Sequence, residues 1–327
     1  MEAVVVSIDL RSGFLFLFTV ALLFHTGCDE FDSLTTIPDQ DTTGQYTPVD
    51  NSKQTPQLAI GSFNIQMLGR TKMSKPGVVK VLVDVARRFD ILAIQELRDK
   101  DERVIPEFLD LINSDGLKYA AAIGPRQGYP GQGSNTYYEQ TVFIFDTTKV
   151  ELVGPTYVAE DRYQIMHRAP FVGHFRSVQV PKEKAFQFVL MNVHVDYNDA
   201  KVEFQALRDI IGGIYPNHPG EDDFILLGDL NDGPESFPTW MNSQVVAIPN
   251  PIKTNTLQTK SYDNIVFDGM RTSEFQQQSG IFNLMETYKL STEDAQLVSD
   301  HLPVWAIFSA YESPSLALTQ SNGEVIR

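Results

Sequence analysis

Polar residues of a hydrolytic kind recur where the apolar runs of this chain begin or end. Asn64 follows LAIGSF, Glu96 closes DILAIQ, His194 closes FQFVLMNV, and Asp229 closes DFILLG with Asn231 two positions on. Glu139 precedes TVFIFD, Asp263 opens one run and Asp300-His301 opens the last. A buried strand needs no such residue at its end. Any one of them alone caps a turn or pairs on the surface; together they point to a shared rim on a rigid scaffold. Glu96, Asp229, Asp300, Asn64 and Asn231 are all oxygen donors, which suit hard Mg²⁺, with Mn²⁺ or Ca²⁺ as alternatives, rather than structural zinc. A neutral imidazole takes a proton from water near neutral pH, and a carboxylate on its other nitrogen fixes the tautomer. His301 with Asp263 is one candidate pair and His194 with Glu139 another. A metal, an asparagine amide and an imidazolium can together stabilise the oxyanion of in-line attack on a phosphodiester.

The elements that must position these groups are short. Apolar runs bounded by turn residues predict strands at 58–65, 90–96, 141–146, 171–180, 186–194, 223–229, 262–267 and 301–310. Helical spacing links Val78, Val81, Leu82, Val85 and Phe89; Ile105, Phe108, Leu109 and Ile112; and Val202, Leu207, Ile210 and Ile211. Many strands with few, uneven helices favour an α/β or α+β sandwich over strict alternation, with sheets covered on both faces.

Composition sets the outer bounds. The chain has 327 residues, 42% of them hydrophobic and 21% charged, which is globular composition and not that of a coiled coil or collagen. Its single cysteine excludes an intramolecular disulfide framework and a cysteine-rich zinc site. A net charge of −16 argues against holding nucleic acid by bulk electrostatics. Leader, linker and tail hold −7 of this, leaving −9 on the segment 56–311, which reads as one domain.

At the N-terminus, FLFLFTVALLF at 14–24 is too short to span a bilayer and has the length of a signal-peptide core. Cys28 follows it closely, so residues 1–28 resemble a bacterial lipoprotein signal with Cys28 as the lipidated residue. The expected location is therefore outside the cytoplasm, as a cell-envelope lipoprotein or a secreted protein, with membrane contact only through that anchor. Residues 29–55 read as a disordered acidic linker and 312–327 as a loose tail.

Seven motifs, SFNIQ, IQELRD, NTYYEQ, NVHVDYND, GDLND, SYDNIV and SDHLPV, fall in the order and rough spacing of the endonuclease/exonuclease/phosphatase superfamily. The chain resembles its deoxyribonuclease I-like branch from about 59 to 310. The resemblance implies a four-layer α-β-β-α sandwich of two packed mixed β-sheets with the site at one rim. It implies His301 as general base oriented by Asp263, and His194, paired with Glu139, as the complementary acid. It implies Glu96 as metal ligand, with Asn64, Asp229, Asn231 and Asp300 positioning metal and scissile phosphate. Arg98 would enter the minor groove, Tyr137 would pack on a sugar beside Asn135, and Arg168 would contact phosphate.

The implied function is a Mg²⁺-dependent DNA endonuclease, with no obligate protein partner. A phosphomonoesterase or a phospholipid or inositol phosphate phosphodiesterase on the same site is the enzymatic alternative, and a binding module without turnover is the alternative of another class. His167, His174 and His218 read as surface or packing residues. Vertebrate secreted enzymes of this branch carry disulfides that this chain cannot form.

Overall fold

Runs of β-branched and aromatic residues make strands that must be covered on both faces, and the chain stacks them in two sheets. The computed structural model describes residues 55–129 and 137–313. The expectations for the signal segment, Cys28, the linker up to residue 54, Asn135 and the tail beyond 313 lie outside the described residues. In chain order the elements are β1 (Gln57–Leu68), α1 (Arg70–Met73), α2 (Pro76–Ala86), β2 (Ile91–Leu97), α3 (Val104–Ile112), β3 (Tyr119–Ile123), β4 (Gln127–Tyr129) and β5 (Tyr137–Asp146). There follow β6 (Val150–Leu152), β7 (Tyr157–Val158), β8 (Phe171–Ser177), β9 (Gln187–His194), α4 (Ala200–Ile214) and β10 (Phe224–Asp229). The chain continues through β11 (Val245–Val246), β12 (Asp263–Phe267), β13 (Phe275–Ile281), α5 (Leu284–Tyr288), α6 (Thr292–Val298) and β14 (Val304–Ser309).

The first sheet has the order β13-β14-β1-β2-β5-β3 and the second β11-β12-β10-β9-β8-β6, with β4 and β7 appended to β5 and β8. Both are mixed: β1–β2 and β9–β10 run parallel, and the other pairs antiparallel. Phenylalanines 143, 171, 175, 188 and 308 fill the space between the sheets. A second core layer lies between the first sheet and α2, α3 and α6, and a third between the second sheet and α4. This is the expected four-layer sandwich. Each large apolar side chain buried in it contributes about 1.5–3 kcal/mol.

All eight apolar runs form strands, and the three helical patterns become α2, α3 and α4. Helix α2 starts with Pro76, whose fixed φ and missing N–H suit the first turn. The strands that the pattern does not reveal are short or polar. Strand β13 reads FQQQSGI and sits at a sheet edge, where one face needs no apolar side chains. Asp300 and His301 differ from expectation in one respect: they lie in the loop before β14, His301 being bridged to Asn255.

Candidate active site

The register of the second sheet places three candidate residues in one row. Asp229 is paired with His194 on β9 and with Asp263 on β12. The strands approach closely here, because Gly228 has φ +146° and an added Cβ would lie 1.9 Å from the Val193 carbonyl oxygen. Any L side chain at 228 would break the β9–β10 pairing just before Asp229. The facing ends of β1 and β2 are kinked by register shifts after Asn64 and after Ile94, with Gln66, Met67 and Glu96 at positive φ. Such irregularities re-aim side chains at the rim of a sheet. Here they turn Asn64 and Glu96 towards the second sheet's row.

Two imidazole–carboxylate pairs result. Nδ1 of His194 is 2.6 Å from Glu139 Oε1, and Nδ1 of His301 is 2.9 Å from Asp263 Oδ2. Both Nε2 atoms stand 3.6 Å from the same oxygen, Asp229 Oδ2. That oxygen also accepts from Asn64 Nδ2 at 2.9 Å. The five residues His194, His301, Glu139, Asp229 and Asp263 are all buried, as is Asn64. Asn231 joins at the edge: its amide nitrogen donates to Asp229 Oδ1 and its side chain to the Val195 carbonyl.

Burial opposes the charge on His301, but Asp263 and Asp229 outweigh it and raise its pKa to about 10. Burial opposes charge on His194 too, and Glu139 outweighs it in the same direction. Burial works against the Glu139 anion, yet His194 and Arg168 hold its pKa below the usual carboxylate range. Arg168 is itself buried; its Nε donates to the His194 carbonyl at 3.0 Å and lies 3.4 Å from Glu139 Oε1. It therefore braces the His194–Glu139 pair.

Glu96 and Asp300 stand beside this row. Glu96 Oε1 accepts from Asn64 Nδ2 at 3.2 Å, and Oε2 accepts from the Met67 amide at 3.0 Å. Asp300 Oδ1 is buried without a hydrogen-bond partner and is 3.9 Å from His301 Nε2. An all-oxygen donor set with an unsatisfied carboxylate oxygen fits a hard divalent cation. Glu96, Asn64 and Asp300, the ligands that the resemblance implies, border the site; Asn64 Nδ2 donates to both Glu96 and Asp229, and Asp229, Asp263 and His301 each bring one ligand atom within 4.8 Å of the others. Arg98 lies at the margin, 3.7 Å from Glu96. Tyr137 begins β5 opposite Tyr129.

Several supporting residues escaped the sequence reading. Lys72 is buried beneath the site and donates to the Ile65 and Val298 carbonyls at 2.6 and 2.7 Å. Burial lowers its pKa to about 8, while the charges of Asp300 and Glu96 resist the fall. Thr254 Oγ1 donates to Asp263 Oδ2 at 2.7 Å, and Ser299 Oγ donates to the Asn64 carbonyl at 2.6 Å. Ser299 lies within SDHLPV and so had a signal; Lys72 and Thr254 lie outside the seven motifs. His167, His174 and His218 do not join the row: they meet Asp199, Glu221 and Tyr157 respectively.

Known proteins share this architecture. A model described as the Endonuclease/Exonuclease/phosphatase family matches residues 61–301. Deoxyribonuclease gamma of Rattus norvegicus is 29% identical over 268 residues, covering 76% of this chain and 83% of its own. Deoxyribonuclease-1 of Homo sapiens is 29% identical over 265 residues, covering 76% of this chain and 90% of its own. Among solved structures, the human Nocturnin catalytic domain with bound sulfate anion aligns with a TM-score of 0.55 at 15% identity, covering 79% and 96%. A family protein from Bacteroides thetaiotaomicron aligns with a TM-score of 0.52 at 13% identity, covering 78% and 98%.

Proposed function

From a chain that belongs to the endonuclease/exonuclease/phosphatase family, we infer a divalent-metal-dependent phosphodiesterase that cuts DNA endonucleolytically. One observation carries the reading: two carboxylate-held imidazoles present their Nε2 atoms to a single Asp229 oxygen, 3.6 Å from each. Paired proton-transfer groups across a small gap are what hydrolysis by an activated water requires. His301, oriented by Asp263, takes the proton from water; His194, held by Glu139 and Arg168, protonates the leaving oxygen. Asn64 and Asn231 orient the scissile phosphate. A bound Mg²⁺ would polarise a phosphate oxygen and screen the carboxylates that hold the His301 proton. The deoxyribonucleases among the relatives support DNA as substrate. Export of the protein and lipidation at Cys28 belong to the same proposal and rest on the sequence of residues 1–28.

The substrate class is tested by a panel. Acid-soluble nucleotides should be released from duplex DNA far faster than phosphate from a monoester or headgroups from phospholipid or inositol phosphate. The reverse ranking would move the assignment to the lipid or phosphomonoester alternative.

Glu96→Gln keeps the shape of the side chain and removes its charge. It should raise the Mg²⁺ concentration for half-maximal rate by about tenfold, as loss of one carboxylate ligand does when ligand charge sets affinity. The melting temperature in EDTA should barely change. A variant that unfolds with unaltered metal dependence would make Glu96 structural.

Arg98 and Arg168 should separate by substrate. Arg98→Ala is expected to raise KM for plasmid and flatten the log–log salt dependence of binding by about one unit. A small activated phosphodiester, which offers no groove, should be cleaved almost normally by this variant. Arg168→Ala should lower turnover on both substrates, because it releases the His194–Glu139 pair. Equal losses on both substrates for Arg98→Ala would contradict the groove-binding role.

A further inference from the structure

A second carboxylate cluster lies at the pole opposite the catalytic rim. Asp223 stands just before β10, and Asp229 ends that strand six residues later, which is about 20 Å along the chain. Glu274 precedes β13 and Glu312 follows β14. One carboxylate oxygen from each of Asp223, Glu274 and Glu312 lies within 4.8 Å of the other two. Oxygens on opposite sides of one calcium ion, each at about 2.4 Å, are separated by about that distance. A single ion can therefore touch all three.

The cluster's polar atoms are organised but unsatisfied. Asp223 is 1% exposed and Glu274 is fully buried, yet both Asp223 oxygens and Glu274 Oε2 have no hydrogen-bond partner. Thr272, also 1% exposed, turns its hydroxyl toward the Asp223 carboxylate and completes no hydrogen bond. Backbone amides fix the other two carboxylates. Ser313 N donates to Glu274 Oε1 at 2.6 Å and Gln187 N to Glu312 Oε2 at 3.1 Å. The neighbouring carboxylates of Glu274, Glu312 and Glu221 all disfavour the ionised form of Asp223. Buried anions without a cation are strongly unfavourable.

We propose that Asp223, Glu274 and Glu312, with the Thr272 hydroxyl, form a calcium site that clamps the far ends of the two sheets and the segment after β14. Asp223 belongs to the second sheet, whereas Glu274 and Glu312 flank strands of the first. Ca²⁺ suits this set better than Mg²⁺, which keeps several waters and demands strict octahedral geometry. The charge balance agrees. Burial first, then the neighbouring carboxylates, push Asp223 up to about 10 and Glu312 up to about 7. A divalent cation relieves both.

The test is thermal unfolding of the protein in EDTA and then with CaCl₂ or MgCl₂. Ca²⁺ should raise the melting temperature by about 5 °C or more at a hundred times its Kd, and Mg²⁺ by much less. Glu96→Gln at the catalytic rim should keep the full Ca²⁺ shift. Asp223→Asn with Glu274→Gln should lose it, while melting in EDTA at or above the wild-type temperature, because neutral isosteres remove the repulsion. Glu312→Gln lies nearer the surface and leaves the buried pair intact; it should weaken Ca²⁺ binding about tenfold in equilibrium dialysis. No Ca²⁺ shift in the wild type, an undiminished shift in the double variant, or unaltered affinity in Glu312→Gln would each overturn the proposal.

Discussion

Replacing His301 with alanine is expected to lower turnover on duplex DNA by about 10²–10⁴-fold, the range for loss of a general acid–base group. KM should change little, because His301 is buried and offers little binding surface. Asp263→Asn should reproduce much of the loss while leaving the fold intact, since it frees the imidazole 2.9 Å away. A spectroscopic sign accompanies it. Asp263 is the largest of the charges that raise the His301 pKa to about 10. In the metal-free Asp263→Asn protein, the His301 ring should titrate at clearly lower pH by NMR. The stability consequence has a definite direction. A group whose folded pKa is raised contributes stability that is complete below its unfolded value, near 6.5, and is lost as pH rises through about 10. The Asp263→Asn protein should lose less stability over that interval than the wild type. Near-normal turnover in either variant, with native circular dichroism, would remove His301 from the chemistry.

Asp229→Asn should be comparably severe, for a different reason. Asp229 is the only described carboxylate that faces both imidazoles and also accepts from Asn64. The amide keeps the volume but carries no charge, and only one of its two heavy atoms can accept. Turnover should fall by about 10²–10³-fold, the cost of deleting one preorganised electrostatic group from a dry site. Combining it with His301→Ala should cost little more than either change alone, because groups that act as a unit are not additive. Multiplicative losses would mean that the two pairs work independently.

Much of this site is legible in the sequence. Polar residues ending apolar runs reveal themselves because a buried strand has no use for them, and strand register then aligns His194, Asp229 and Asp263. What the pattern cannot show is contact between residues far apart in sequence. The resemblance implies Arg168 as a phosphate contact, but its burial against His194 and Glu139 is a contact that local sequence does not reveal. Thr254 fixes Asp263 from a loop with no periodicity, and Lys72 is a lysine under two carboxylates that no propensity argument places in a core. The polar edge strand β13 and the two-residue strands β7 and β11 carry too few apolar positions for a period-2 signal. Asp223 and Glu274 escaped because their significance lies in mutual burial, which no charge count displays.

The central claim, that the paired histidines cut DNA internally with the help of a divalent cation, meets its most direct test in supercoiled plasmid. The purified protein is incubated with it in Mg²⁺, and in EDTA, and the topoisomers are separated on a gel. Relaxed circles should form first in Mg²⁺, followed by linear DNA, with no conversion in EDTA. Plasmid that stays supercoiled in Mg²⁺, or nicking that persists undiminished in EDTA, would contradict the account.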